Sequence, residues 1–224
     1  LTNKKDEIKD FKKGLIPILW PVALICGLIL PADFSTAGML FTVCFTMMFI
    51  GGAKIKHLVS IVGTAFLGFA FLILINFAVP GFLPRVDTWE KRIMSFESGG
   101  KQENYQAEMA KRAVANGFLF GKGPGKGHVK NDLYSAQSDF IYASSIEEFG
   151  SIIGGIGLVI LYMILFFRAI RIMNKVDSKF ASFIVFGLSF MLIFQSFINM
   201  GVGVNLFPVT GQPLPLISMG GTSI

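Results

Sequence analysis

Five stretches of the sequence are apolar for long enough to cross a bilayer, and no other feature restricts the fold as much. They run from about Gly14 to Leu30, Phe34 to Gly52, Leu58 to Val79, Phe149 to Arg168 and Phe180 to Val204, and a sixth begins near Ser218. Crossing the hydrocarbon takes about 20 apolar residues as a helix. Backbone groups in lipid must satisfy one another, and the two-residue alternation of a barrel strand is absent, so each run is predicted to be helical. Composition agrees: mean hydropathy is +0.63 and 15% of residues are charged, against about 25% in soluble domains. The expected fold is an all-α polytopic membrane protein, a bundle of transmembrane helices with a large extracytoplasmic loop. Its parts are a cytoplasmic segment (1–13), three transmembrane helices (14–79), a loop with a surface helix and a glycine-rich stretch (80–148), two further helices (149–204), an outer Pro/Gly-rich loop (205–217) and the start of a truncated helix (218–224). The chain opens on Leu1 in a charged segment without a signal-peptide pattern, and its last apolar run has barely begun at Ile224. A piece of a longer protein is expected, inactive when isolated because an incomplete bundle leaves its cavity open.

Charge sets the orientation. Lys4, Lys5, Lys9, Lys12 and Lys13, then Lys54 and Lys56, then Arg168, Arg171, Lys175 and Lys179 occupy every second connection, against only Asp6, Glu7, Asp10 and Asp177. The alternate connections carry Asp33 alone, a balanced long loop, and no charge at all between Asn205 and Ile217. By the positive-inside rule the N-terminus is cytoplasmic and the long loop lies outside. The net charge of +6 therefore reports topology and calls for no nucleic-acid partner; the N-terminal lysines also suit contact with anionic membrane lipids.

Other features have plain readings. Cys26 and Cys44 sit in apolar runs as small hydrophobes, and His57 and His128 lack ligand spacing, so no metal site is predicted. Asp33, Ser35 and Thr36 suit the cap of the second helix. Gly63, Gly68, Gly150, Gly154, Gly155 and Gly157 suit close helix packing.

Polar chemistry concentrates between Gly121 and Gly150, GKGPGKGHVKNDLYSAQSDFIYASSIEEFG. Upstream, Tyr105, Met109 and Val114 recur at helical spacing within 102–116, the pattern of a helix lying along the membrane surface. Downstream, the run from Asp139 to Lys175 is helix-compatible and longer than a bilayer requires, which puts Asp139, Ser144, Ser145, Glu147 and Glu148 at the outer boundary, above the hydrocarbon or lining a polar cavity. Pro208, Pro213 and Pro215 break the region before the C-terminus; irregular backbone at that depth must be buried in protein or line a wet cavity, and it is expected to close over that cavity.

Read alone, Asp139 is either a general base or the N-cap of the helix that follows. A solvated aspartate, with a reference pKa of about 3.9, is a weak base; apolar neighbours such as Phe140 and Ile141 are surroundings that strengthen one. Gly121, Gly123, Gly125 and Gly127 with Lys122, Lys126 and Lys130 form either an amide nest for an anion or a hinge with solvated lysines. The stretch is not a nucleotide P-loop, for no strand precedes it and no GK[ST] occurs. Glu147 and Glu148 suit capping and structural pairing better than substrate contact.

Taken together, GKGPGKGHVK, SDFIYASSIEEFG, NMGVGVNLFPVTGQPLPLISMGGTS and the upstream PADFSTAG turn resemble the SEDS family of bacterial membrane proteins, FtsW and RodA, over essentially the whole chain. FIGGAKI after the second span, with Trp89, Arg92 and Phe96, is similar to the division branch, FtsW. The chain departs from the pattern L-P-E-A-H-T-D, having Leu133, Tyr134, Ser135, Ala136, Gln137 and Ser138 before Asp139, and its spacer from Lys130 is one residue shorter.

The resemblance implies a peptidoglycan glycosyltransferase that polymerises lipid II into a nascent glycan strand at the outer face of the bacterial cytoplasmic (inner) membrane, at the division septum. It implies Asp139 as the catalytic residue. Lys130, Gly121, Gly123, Gly125, Lys126 and Ser138 are the expected substrate-binding residues. The implied partners are a class B penicillin-binding transpeptidase and other division proteins. A divalent cation, Mg or Mn, is entertained as a cofactor without a ligand set in the sequence. The alternatives are a lipid II flippase and a non-catalytic scaffold for the transpeptidase; the spans hold only Asn76, Gln195 and Asn199 as notable polar groups, where a transporter is expected to carry ionisable ones.

Overall fold

The computed structural model describes residue 8 and residues 10–78, 103–127 and 138–219. Among them all regular structure is helical: α1 (Ile16–Ile29), α2 (Phe34–Ile50), α3 (Ile55–Ala78), α4 (Glu103–Gly117), α5 (Ile141–Gly150), α6 (Leu158–Lys175) and α7 (Lys179–Gly203), with π-helical segments at Phe11–Leu15 and Ser151–Gly157. Two apolar stretches, Ile141–Lys175 and Lys179–Gly203, have the length and composition to span a membrane, and three shorter apolar helices precede them. The chain divides into two units, Leu1–Trp89 with Ile172–Leu188, and Glu90–Arg171 with Ser189–Ile224.

In the first unit, Asp33 is the N-cap of α2. Its Oδ1 accepts from the amides of Ser35 at 3.0 Å and Thr36 at 3.2 Å, satisfying two donors that the first helical turn leaves over. Ile8, Leu15, Met48, Ala53, Leu58 and Ile61 form its core. Pro17 falls just after the junction between the π-helical segment and α1, and Pro21 lies inside the helix.

The second unit goes beyond expectation in two places. The helix expected along the membrane surface, α4, packs on α5: Ala110 and Ala113 are fully buried beside Met109, Phe140, Ala143 and Val202. A Cβ on Gly117 would lie 2.0 Å from the Ile146 carbonyl oxygen, so the two backbones touch. Tyr105 faces away and stays exposed.

The second is the long helix. Gly150 has φ +83° and ψ 167°, and there the chain doubles back. The Tyr142 hydroxyl donates to the Gly155 carbonyl at 3.3 Å, and a Cβ on Gly154 would lie 2.2 Å from the Ser145 oxygen. In an unbroken helix residues 142 and 155 would be separated by roughly 20 Å of rise. The helix of ten residues, α5, is thus distinct from the spanning helix, whose 7 π-helical and 18 α-helical residues extend roughly 37 Å. Instead of projecting above the bundle, α5 folds back beside it; Tyr142, Ile146, Tyr162, Ile193, Met200 and Leu214 fill the space between.

Candidate active site

A helix break in an apolar region leaves carbonyls at one end and amides at the other without partners. The turn after α4 supplies both. Lys122 and Gly123 donate their amides to the carbonyls of Glu147 and Glu148, each at 2.9 Å, while Ser151 and Ile152 donate theirs to Phe118 at 2.8 Å and Leu119 at 3.4 Å. A close backbone approach makes this clip work: a Cβ on Gly121 would lie 2.4 Å from the Glu148 oxygen, and one on Gly150 would lie 2.3 Å from the Leu119 oxygen.

This corrects the expected amide nest. The amides of Gly121, Lys122 and Gly123 bond to carbonyls of the protein, that of Gly121 to Gly117 at 2.7 Å, and are not turned toward an anion. They meet α5 at its C-terminal end, some eight residues or roughly 12 Å along the helix from Asp139. Gly125 and Lys126 lie in the exposed part of the turn, with the Lys126 amide on the Gly123 carbonyl at 3.1 Å. Lys130 falls outside the described residues, as does the whole stretch 128–137 that departs from the family pattern.

Beneath the clip, Glu147 is completely buried. Its Oε1 accepts from Lys122 Nζ and from Asn116 Nδ2, both at 3.4 Å, and Gly127 sits so close that a Cβ would lie 2.9 Å from Oε2. The charge pair ties the glycine-rich turn and the end of α4 to α5, in keeping with structural pairing. Lys122, read as one of the nest cations, is instead this carboxylate's partner.

Ser138 and Asp139 form the turn that enters α5, each half-buried. The N-cap of that helix is Phe140, which makes no side-chain cap bond and is itself fully buried. Asp139 therefore precedes the cap position that the alternative reading gave it. Its carbonyl accepts from Asn199 Nδ2 at 2.9 Å, and the same amide group donates to the Gln212 carbonyl at 2.7 Å. The Ser138 carbonyl accepts from Ser218 Oγ at 2.7 Å, which in turn accepts from the Leu214 amide at 2.7 Å. Asn199 lies four residues, roughly 6 Å, inside the C-terminal end of α7. The Asp139 turn is thus held beside the last turns of α7.

The proline-rich segment after α7 is held by its carbonyls. Gln195 Nε2 donates to Pro213 at 3.1 Å and Asn199 to Gln212, and the Tyr162 hydroxyl bonds to the Pro215 carbonyl. This is how irregular backbone becomes tolerable among apolar helices. Ser218, where a further helix is expected to begin, belongs to this network, and residues 220–224 fall outside the described residues. Asn199 and Ser218 went unrecognised as partners of the 138–139 turn because they lie 60 and 80 residues away in sequence. Among the described residues no three His, Cys, Asp or Glu side chains are grouped to hold a metal ion, so no step is assigned to a divalent cation.

The family model for cell cycle proteins of the FtsW, RodA and SpoVE group matches residues 1–224. The chain is 33% identical over 227 residues to stage V sporulation protein E of Bacillus subtilis, aligning all of this chain with 60% of that protein. It is 30% identical over 233 residues to the probable peptidoglycan glycosyltransferase FtsW of Escherichia coli O6:H1, of which it covers 53%. The chain thus spans little more than half the length of these relatives. A solved structure described as the structural coordination of polymerization and crosslinking by a peptidoglycan synthase complex superposes with a TM-score of 0.67 at 26% identity, covering 96% of this chain and 59% of that one. A crystal structure of an aspartate-to-alanine mutant of the Thermus thermophilus rod shape determining protein RodA superposes at 0.56 with 22% identity, over 99% of this chain and 56% of that one, and shares the fold. With its family model matched from end to end and its all-helical membrane fold shared with these structures, the chain belongs to the FtsW/RodA/SpoVE family.

Proposed function

We propose that this chain carries the catalytic part of a peptidoglycan glycosyltransferase that polymerises lipid II at the outer face of the bacterial cytoplasmic membrane during division. The observation that supports it most is the half-buried Asp139, on a turn pinned by Asn199 and Ser218 and held beside the last turns of α7. Glycan polymerisation joins an acceptor sugar hydroxyl to the anomeric carbon of a polyprenyl-diphosphate-linked sugar. Asp139 takes the hydroxyl proton, the new C–O bond forms, and the bond to the diphosphate breaks with its electron pair leaving on phosphate. A positioned base contributes about 10²- to 10⁴-fold. Lys126, exposed in its turn, supplies positive charge for the departing diphosphate and Lys130 is assigned the same role from the sequence, while Gly121, Gly123 and Gly125 shape the turn that carries Lys126 and Ser138 fixes the backbone beside the base. The similarity to a peptidoglycan synthase complex that couples polymerization and crosslinking supports a penicillin-binding transpeptidase as partner.

The test is polymerisation of labelled lipid II by the purified full-length protein. Asp139→Asn is expected to lower the rate by at least about 100-fold without loss of folded protein, since Asn has the same shape as Asp and the turn is held through the backbone carbonyl of residue 139. Polymerisation that survives this substitution would remove Asp139 from catalysis. Broken helices also line substrate sites in transporters, which favours the flippase as second reading; lipid II translocation in vesicles with no glycan product would establish it.

A further inference from the structure

We infer that Asn199 and Ser218 are positioning residues for Asp139, acting through the proline-rich segment that runs from the end of α7 to Ser218; this rests on the catalytic reading of Asp139. Two consecutive carbonyls, Ser138 and Asp139, are each held by a side chain from this distant region, at 2.7 and 2.9 Å. The next residue, Phe140, is locked in the core. Three successive residues are thus fixed by contacts from outside α5.

Asn199 shows what this arrangement costs. It is 1% exposed, its Nδ2 serves two carbonyls, and its Oδ1 has no hydrogen-bond partner among the described residues. Turning the amide over would set Oδ1 against both carbonyl oxygens, so its orientation is dictated by the network. A buried acceptor without a partner is destabilising. Ser218 is economical by contrast: its one hydrogen goes to Ser138, and its lone pair receives the Leu214 amide, coupling the base to the turn at Leu214–Ser218.

A misplacement of about 1 Å at a reacting group costs about 100-fold, and loss of either bond frees the turn by amounts of that order. The experiment measures kcat and KM for the lipid-linked disaccharide with full-length protein, normalised to the folded, monodisperse fraction. Ser218→Ala and Asn199→Ala are expected to lower kcat by about 10- to 100-fold and to leave KM nearly unchanged, with Ser218→Thr, which keeps the hydroxyl, restoring most of the rate. If the alanine variants do not fold, Ser218→Cys keeps the volume with a weaker donor, and its kcat is expected to fall while the acid limb of its kcat–pH profile moves relative to wild type. Wild-type kcat per folded molecule in the alanine variants, or in Ser218→Cys with an unmoved profile, overturns the inference while an inactive Asp139→Asn leaves the catalytic reading standing. Activity in Asp139→Asn overturns both.

Discussion

Gly121 and Gly125 share a left-handed backbone, φ +76° in each, and differ in what a side chain would meet. At Gly125 there is open space, whereas at Gly121 a Cβ would press on the backbone of Glu148 and Gly150. Left-handed geometry alone costs an L-residue about 1–2 kcal/mol. Gly125→Ala should therefore lower stability by about that amount, and Gly121→Ala by clearly more, because backbone cannot yield as a flexible side chain does. Thermal unfolding of the full-length protein in detergent, with the Gly121→Ala midpoint below that of Gly125→Ala, checks the ranking; equal midpoints would mean that the clip is looser than the distances imply. The pattern GKGPGKG advertised special backbone at both positions, but only the contacts across to α5 separate a structural glycine from a permissive one.

At the scale of elements, the turn at 118–123 and the break at Gly150 are one device. Two amides of the turn cap the end of α5 and two of its carbonyls cap the start of the spanning helix, so neither half holds without the other. Hydrogen exchange should show this: the amides of Lys122, Gly123, Ser151 and Ile152 are expected to be protected to a similar degree, as members of one cooperative unit, and Gly121→Ala should loosen all four together. Fast exchange at Lys122 and Gly123 with Ser151 and Ile152 still protected would instead show the helix intact without its clip. The same device explains the misread helix. From Ile141 to Lys175 nothing but glycine interrupts a helix-compatible sequence, and glycine inside a helix lowers stability by only about 1 kcal/mol relative to alanine. Partners some thirty residues upstream convert that weak point into a reversal.

For the whole molecule, we propose from the alternation of basic connections that α4 and α5 lie on the outer side of the membrane. Tyr105 is on the exposed face of α4, so Tyr105→Cys in the full-length protein should react with a membrane-impermeant maleimide added to the outside of spheroplasts, whereas a cysteine at Lys54 should react only after the membrane is opened. Labelling in the reverse pattern would invert the orientation and with it the proposed site of glycan synthesis. Cys26 and Cys44, in apolar helices and partly buried, provide little background.

Membrane class and helical architecture were legible in the order of residues, because each rests on local quantities, the length of an apolar run and the absence of strand alternation. Asp139 was singled out from its alternative reading as a cap only by the resemblance to the family. Burial of the α4 stripe against α5, the reversal at Gly150, the pairing of Glu147 with Lys122, and the grip of Asn199 and Ser218 on the Asp139 turn were decided by tertiary structure alone. Each of these is a contact between segments 25 to 80 residues apart, and hydrogen bonds at such separations leave no period in the sequence, since what selects them is the satisfaction of buried backbone groups by whichever chain packs against them.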